Sequence, residues 1–306
     1  MINILKVSIL IPTLNAGRAW IKVLESINEQ TIEFEKKIIV DSGSIDNTVP
    51  LARQYGFEVI EIEKKSFNHG ATRQLLADAS INCDVCVFLT HDATLASMDS
   101  VEKIVSIFQD ADIGMAYGRQ LPHINARPLE RHARLFNYPS VSQVISMDDL
   151  PRLGFKIFFG SNSFSAYRKI ALSAVGGFPP DSIMGEDAIV AAKMLMAGFK
   201  KAYVAEATVY HSHSYTLAEE YKRYFDTRVF HEQNKWLIDT FGKPTSEGIK
   251  YIKSEVNYVV KNDFKTVIKS IGSIGAKWLG YKTGRFYKIL PVSILKKLSM
   301  HKSYWK

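Results

Sequence analysis

Lys6 to Asn28 reads KVSILIPTLNAGRAWIKVLESIN, and the change of period within it decides the fold. Val7 to Ile11 is an apolar run, interrupted only by the small Ser8, of the kind that a strand covered on both faces needs. A turn carrying Pro12, Thr13 and Asn15 follows, and Gly17 to Asn28 reads as an amphipathic helix. The unit then repeats. Lys37 to Val40 is a second strand, followed by a helix that Asp46 or Asn47 can cap. Phe57 to Ile62 is a third strand, His69 to Ala79 a helix, and Val85 to Leu89 a fourth strand. This alternation over the first 120 residues predicts an α/β fold with a parallel sheet covered on both faces.

In such sheets ligands bind beyond the carboxyl ends of the strands, where the strand order reverses. The polar residues of this sequence gather there: Pro12, Thr13 and Asn15 after the first strand, Asp41, Ser42 and Gly43 after the second, and Thr90, His91 and Asp92 after the fourth. Three loops thus form one rim. Gly118 to Phe159 is less regular and reads as loops and short helices laid over the sheet. Gly160 to Tyr167 is a further strand, Gly185 to Ala197 a helix opened by acidic residues, and Tyr203 to Tyr210 holds another strand or two. After Thr216 the chain turns helical to about Tyr281.

With 306 residues, 46% of them apolar and 23% charged, the chain can bury one large core plus an extension. No internal repeat is present, and no stretch reaches the roughly 18 apolar residues of a membrane span. The N-terminal apolar run is closed by Pro12 and Asn15 with no cleavage pattern behind it, so it reads as a strand and not a leader. The net charge of +8 is local: Phe264 to Lys306 holds ten basic residues and no Asp or Glu, which leaves −2 on the rest. That argues against a nucleic-acid partner. The two cysteines, Cys83 and Cys86, fall where a buried strand is expected, which would turn them to opposite faces. They read as buried thiols of a cytoplasmic protein.

Five constellations carry chemistry, and each has a plainer alternative. Asp41 opens DSGSIDNT and can accept from a nucleobase N–H, or merely belong to a capping turn. Asp92, in FLTHDA, can hold a divalent cation that bridges phosphates, or be an ordinary loop carboxylate. FNHGATR, Phe67 to Arg73, sets Gly70 and Arg73 at a helix start suited to a diphosphate, or forms a solvated cap. Glu186 and Asp187 follow Gly185 at another helix start, where a carboxylate kept ionised by the helix dipole can act as a base, or simply complement that dipole. His211 and His213, in YHSHSY, point to one face if they lie on a strand, and His211 is the better candidate to join Asp92 at a metal.

Taken in order, IPTLNAGR, VDSGSIDNT, FNHGATR, FLTHDA and GED resemble family 2 of the glycosyltransferases, over roughly Lys6 to His213. HGATR and GRQLP (Gly118 to Pro122) look like its rhamnosyltransferase-type branch. The resemblance implies the GT-A fold, a Rossmann-like, mostly parallel sheet flanked by helices, here with a helical C-terminal extension. It implies a catalytic domain over 1–215, with a donor half to about 120 and an acceptor half after it, and an extension over 216–306. Thr13 and Asp41 would hold the base and ribose and Arg73 would contact the diphosphate, with Pro12, Asn15 and Gly70 also in the donor site. Asp92 would hold the magnesium or manganese ion with His211, and Asp187, beside Glu186, would be the base of an inverting transfer. Thr90 stands where the family's first metal-site aspartate is expected, which leaves a single carboxylate there.

The implied substrates are a nucleotide-sugar donor, dTDP-L-rhamnose for the rhamnosyl branch with a UDP-hexose as the alternative, and a lipid-linked saccharide acceptor of O-antigen synthesis. The tail suits that acceptor. Val267, Ile268, Ile271, Ile274 and Trp278 follow helical spacing, Lys265, Lys269 and Lys277 fall opposite, and the chain ends in mixed basic and aromatic residues. Such a segment lies on an anionic membrane at the inner face, or packs on the catalytic domain with its lysines in water. Two rivals stand outside the class. A metal-dependent phosphohydrolase on Asp92, Asp187 and His211 would usually need more carboxylates and histidines. An inactive sugar-nucleotide scaffold would not need both Asp92 and Asp187.

Overall fold

The computed structural model describes residues 5–306, and the side chains of all of these except 245 and 246. Nine strands form one sheet: β1 Val7–Thr13, β2 Lys36–Asp41, β3 Glu58–Glu61, β4 Val85–Leu89, β5 Thr94–Leu95, β6 Ile113–Leu121, β7 Gln143–Ile145, β8 Phe164–Arg168 and β9 Lys200–Tyr210. The α-helices are α1 Trp20–Asn28, α2 Thr48–Gln54, α3 His69–Ala79, α4 Ser100–Ser106, α5 Pro128–Asn137, α6 Leu150–Leu153 and α7 Lys169–Ala174. Then come α8 Glu186–Met196, α9 Leu217–Gln233, α10 Lys235–Phe241, α11 Thr245–Asn262, α12 Val267–Gly284 and α13 Val292–Leu298.

The strand order is β3-β2-β1-β4-β8-β6-β9-β5, with β7 added on β9. The first four are parallel, as expected, and the order reverses between β1 and β4. The other half is mixed, because β8 runs antiparallel to both β4 and β6. The reason is local. β6 climbs to the carboxyl rim, the chain crosses above that rim, and β8 starts there and must run back down. Its start therefore joins the site: Thr90 N–H donates to Ser163 O at 3.3 Å.

Alternate residues of the central strands feed two cores, as the period of a strand requires. Ile9, Ile11, Val87 and Leu89 pack with Trp20 and Leu24 on one face of the sheet. Leu10, Phe88, Ile38 and Val40 belong to the other core, which also contains Phe225, Val229, Leu237, Leu295 and Trp305. Helices α9, α10 and α13 thus share a core with the sheet.

Three sequence expectations need correction. β1 and β2 run on to Thr13 and Asp41, so Pro12, Thr13 and Asp41 end strands and do not sit in loops. Cys83 lies in the turn before β4 and only Cys86 is in the strand, so the two buried sulfurs approach to 3.3 Å as free thiols. On α12 the orientation is the reverse of a packed amphipathic helix. Ser270, Ser273, Gly280 and Gly284 face inward, and Ile268, Ile271 and Trp278 face out. Gly280 is required because a Cβ there would lie 2.1 Å from Tyr221 O of α9. Lys277, expected on the solvated side, is turned in, 3.5 Å from the fully buried Glu255 and 3.6 Å from Glu220.

Candidate active site

β1 and β2 pair in register with Thr13 opposite Asp41. The Thr13 hydroxyl donates to Asp41 Oδ2 at 2.9 Å, and Ser44 Oγ donates to the same oxygen at 2.6 Å. Asp41 Oδ1 accepts the backbone N–H groups of Gly43 and Ser44 at 3.0 and 2.8 Å. The carboxylate expected to meet a nucleobase thus holds its own loop together, and it is buried. Asn15, at a left-handed φ of 45°, joins the first loop to the second: Ile45 N–H donates to its Oδ1 at 2.9 Å. Its own N–H donates to Ser44 Oγ at 2.7 Å.

Asp92 stands three residues past β4, and β9 ends at Tyr210. His211 and His213 therefore lie beyond the strand, not on it, yet both reach Asp92. His211 Nε2 is 3.4 Å from Oδ1 and His213 Nε2 is 3.5 Å from Oδ2. One potential ligand atom of each residue lies within 4.8 Å of the others. His213, ranked behind His211 by the sequence, is an equal third member of the group.

The ring orientation of His211 is set from behind. Its Nδ1 is 3.0 Å from Gln120 Oε1, which already accepts from the Arg134 guanidinium at 2.7 Å. An oxygen in that position only accepts, so Nδ1 carries the proton and Nε2 a lone pair. Burial pushes His211 below its ordinary pKa, and burial, followed by the neighbouring His211 ring with which it would compete for a proton, pushes His213 down to about 4. Burial acts to raise Asp92, but its contact with His211 outweighs this and keeps the carboxyl well below the usual range. An ionised carboxylate facing imidazole lone pairs fits a divalent cation between them.

At the start of α8 the two acidic residues separate in role. Glu186 is buried, with Oε1 3.0 Å from Arg73 Nη1 and accepting Asn162 Nδ2 at 2.9 Å. Burial works against its charge, yet the adjacent Arg73 guanidinium holds its carboxyl below the usual range. Asp187 is half-buried at the cavity wall, accepting Ala188 N–H at 2.8 Å and Asn162 N–H at 3.2 Å. Burial first, and then the Glu186 charge, push it up to about 7. This corrects the expectation that the helix dipole dominates. Two adjacent carboxyls with pKa values driven apart divide the work: Asp187 can exchange a proton near neutrality, and Glu186 stays a fixed charge.

Arg73 is buried and also donates to His69 O at 3.1 Å, so the expected diphosphate clamp is first an ion-pair partner. Its Nε has no hydrogen-bond partner among the described residues. Gly70 is a further correction. A Cβ there would lie 1.8 Å from Pro179 O, so the glycine serves close packing of α3 and is not on the cavity wall.

A cavity of about 1150 Å³ joins these groups, and Pro12, Thr13, Arg73, Asp92, Asp187 and His211 all line it. Asn15 and Asp41 are not among its lining residues: Asn15 is exposed elsewhere on the loop and Asp41 is buried. Sequence reasoning missed Asn162 and Arg134, which carry no local motif. Gln120 did have a signal, since it sits within GRQLP.

A nucleotide-sized cavity at the switch point, a carboxylate–imidazole cluster and a proton-exchanging carboxyl define a group-transfer enzyme of α/β type. Residues 8–176 match the family described as glycosyl transferase family 2, and the chain belongs to that family and is a glycosyltransferase with the GT-A fold. It is similar to the O-antigen chain rhamnosyltransferase RfbN of Salmonella typhimurium strain LT2, with 46% identity over 98% of this chain and 96% of that one. It is also similar to the O-antigen chain rhamnosyltransferase WbaN of Salmonella anatum, with 42% identity over 97% and 95%. Among solved structures, the mannosyltransferase PcManGT from Pyrobaculum calidifontis, in complex with GDP-Man and Mn2+, superposes with a TM-score of 0.61 at 16% identity, covering 97% of this chain and 85% of that one. S. aureus TarS 1–349 with UDP-GlcNAc gives 0.54 at 13% identity, over 93% and 92%.

Proposed function

We propose that the protein transfers L-rhamnose from dTDP-L-rhamnose, with inversion, to a lipid-linked saccharide in O-antigen synthesis at the inner face of the cytoplasmic membrane. The observation that carries the reading is the convergence of Asp187 and the Asp92–His211–His213 group on one cavity, in a chain 46% identical to RfbN along nearly its whole length. Residues 1–215 are taken as the catalytic domain and 216–306 as its extension.

Asp187 accepts the proton of the attacking acceptor hydroxyl while that oxygen forms its bond to the anomeric carbon from the face opposite the diphosphate. The bond from that carbon to the phosphate oxygen breaks, and dTDP leaves with the electron pair. Asn162 N–H and Ala188 N–H hold the Asp187 carboxylate in place for this. Arg73, fixed by Glu186, lines the cavity and sets its positive charge on the side of the diphosphate. Pro12 and Thr13 form the wall beside the nucleoside. Asp92 and His211, joined by His213, would hold a divalent ion whose charge stabilises the departing diphosphate. With two imidazoles and one carboxylate, the donor set suits manganese better than magnesium.

The test is calorimetric binding of dTDP-L-rhamnose and of UDP-sugars, with and without manganese, in wild type and Asp92→Ala. Tight dTDP-rhamnose binding that manganese enhances and Asp92→Ala loses is the expected result. Preference for a UDP-hexose would discard the sugar and keep the class.

A further inference from the structure

α12 wears its amphipathicity inside out. Its inner face, packed on α9, is made of Ser270, Ser273, Gly280 and Gly284. Its outer face carries Ile268 at 83% exposure, Ile271, Trp278 at 62% and Leu279, positions that fall on one side of a helix. Phe264 just before the helix, and Phe286 and Ile289 at 79% in the turn after it, are exposed apolar side chains as well. A helix whose outer face met only water would have the reverse pattern, so this face is built to be covered.

The charge around it says by what. Lys265, Lys282, Arg285, Lys288, Lys296 and Lys297 are all exposed, and no acidic residue occurs from Phe264 to the end of the chain. The Lys282 ammonium sits 5.8 Å over the Trp278 ring, a basic group against an aromatic one as at a lipid headgroup boundary. Two copies meeting through this face would bring like charges together, which disfavours self-association. Among the described residues no helix is long and apolar enough to cross a membrane, so the face can lie in an interface but not span it.

We propose that the outer face of α12, with Phe264, Ile268, Ile271, Trp278 and Phe286 as the inserting side chains, docks the enzyme on an anionic lipid monolayer. The opposite side of the same helix supplies Lys269, Ser273 and Lys277 to the active-site cavity. Docking there sets the cavity one helix diameter from the lipid surface, within reach of a saccharide carried on a lipid. The proposal deepens the reading of a lipid-linked acceptor and rests on it for its purpose, while the surface stands on its own chemistry.

The experiment is sedimentation of the full chain with vesicles of phosphatidylcholine alone and of phosphatidylcholine with phosphatidylglycerol, for wild type, Ile271→Glu/Trp278→Glu and Lys282→Gln/Arg285→Gln. The substituted side chains are exposed, and dTDP-L-rhamnose calorimetry on the same preparations checks the active site separately. The expected result is binding to the anionic vesicles only, lowered at least tenfold by the Ile271/Trp278 variant and severalfold by the Lys282/Arg285 variant or by salt. Brominated lipid should quench the wild type more than Trp278→Phe. Equal vesicle binding by all three proteins, or no wild-type binding to anionic vesicles, overturns the proposal. So does a dimer in solution that the Ile271/Trp278 variant dissolves without vesicle binding having been seen. Vesicle binding without dTDP-rhamnose binding would sink the sugar assignment and leave the surface, and the converse would sink only the surface.

Discussion

Gln120 fixes the chemistry of His211 through one ring nitrogen: Nδ1 lies 3.0 Å from Gln120 Oε1, which Arg134 pins from the other side at 2.7 Å. The proton is held at Nδ1, and the Nε2 lone pair looks at Asp92. Gln120→Ala releases the ring to rotate and change tautomer. Removing such a partner costs a metal site about 10–100-fold in affinity. Manganese titration of Gln120→Ala by calorimetry should show that loss, and an unchanged constant would mean that His211 is not a ligand.

Asp187→Asn keeps the shape of the site but cannot take a proton. Transfer should fall by about 10²–10⁴-fold with donor binding retained. Because burial and Glu186 push Asp187 up to about 7, the wild-type rate should climb as pH rises through about 7 and then level off. Glu186→Gln removes the neighbouring negative charge and should move that inflection to lower pH. A rate independent of pH between 5 and 8 would remove Asp187 from the role of base.

Arg73 and Glu186 pair at 3.0 Å with both side chains buried. Breaking one side leaves the other charge buried and unpaired, at a cost of about 3–5 kcal/mol. Urea denaturation of Glu186→Gln should show a loss of that order, and Arg73→Met/Glu186→Met should recover much of it. If the single variant is as stable as wild type, the pair does not hold α3 to α8.

Asp226 of α9 accepts Met300 N–H at 2.8 Å, and burial pushes its carboxyl up to about 6. The folded state then keeps a proton that the unfolded chain has already lost near its ordinary value of about 4. Above that value the unfolded chain binds fewer protons, so this group's contribution to stability falls as pH rises from about 4 to about 6. Asp226→Asn has no such dependence. Its stability relative to wild type should improve over that window by about 2–3 kcal/mol, and parallel curves would show that Asp226 titrates normally in the fold.

Much of the first half was legible because its signals are local. The helix His69–Ala79 and the strand Val85–Leu89 form with the boundaries read from the sequence, since a run of apolar residues and a capping Asn68 are settled within a few positions. Residue types with strong chemistry, Asp92, Asp187, His211 and Arg73, were visible for the same reason, and the structure brings them to one cavity.

What the sequence determined by itself was the parallel β1–β4 half, the rim and the short roster of reactive side chains, because period and residue type act over a few residues. Only the tertiary structure decided which carboxyl is free, since Glu186 is claimed by an arginine 113 positions away and Asp187 is not. It decided the antiparallel course of β8, the tautomer of His211 and the outward turn of Ile271 and Trp278 on α12. Each of these follows from a partner distant in sequence, and hydrogen bonds, desolvation and close packing act through space, where the order of residues along the chain leaves no local mark.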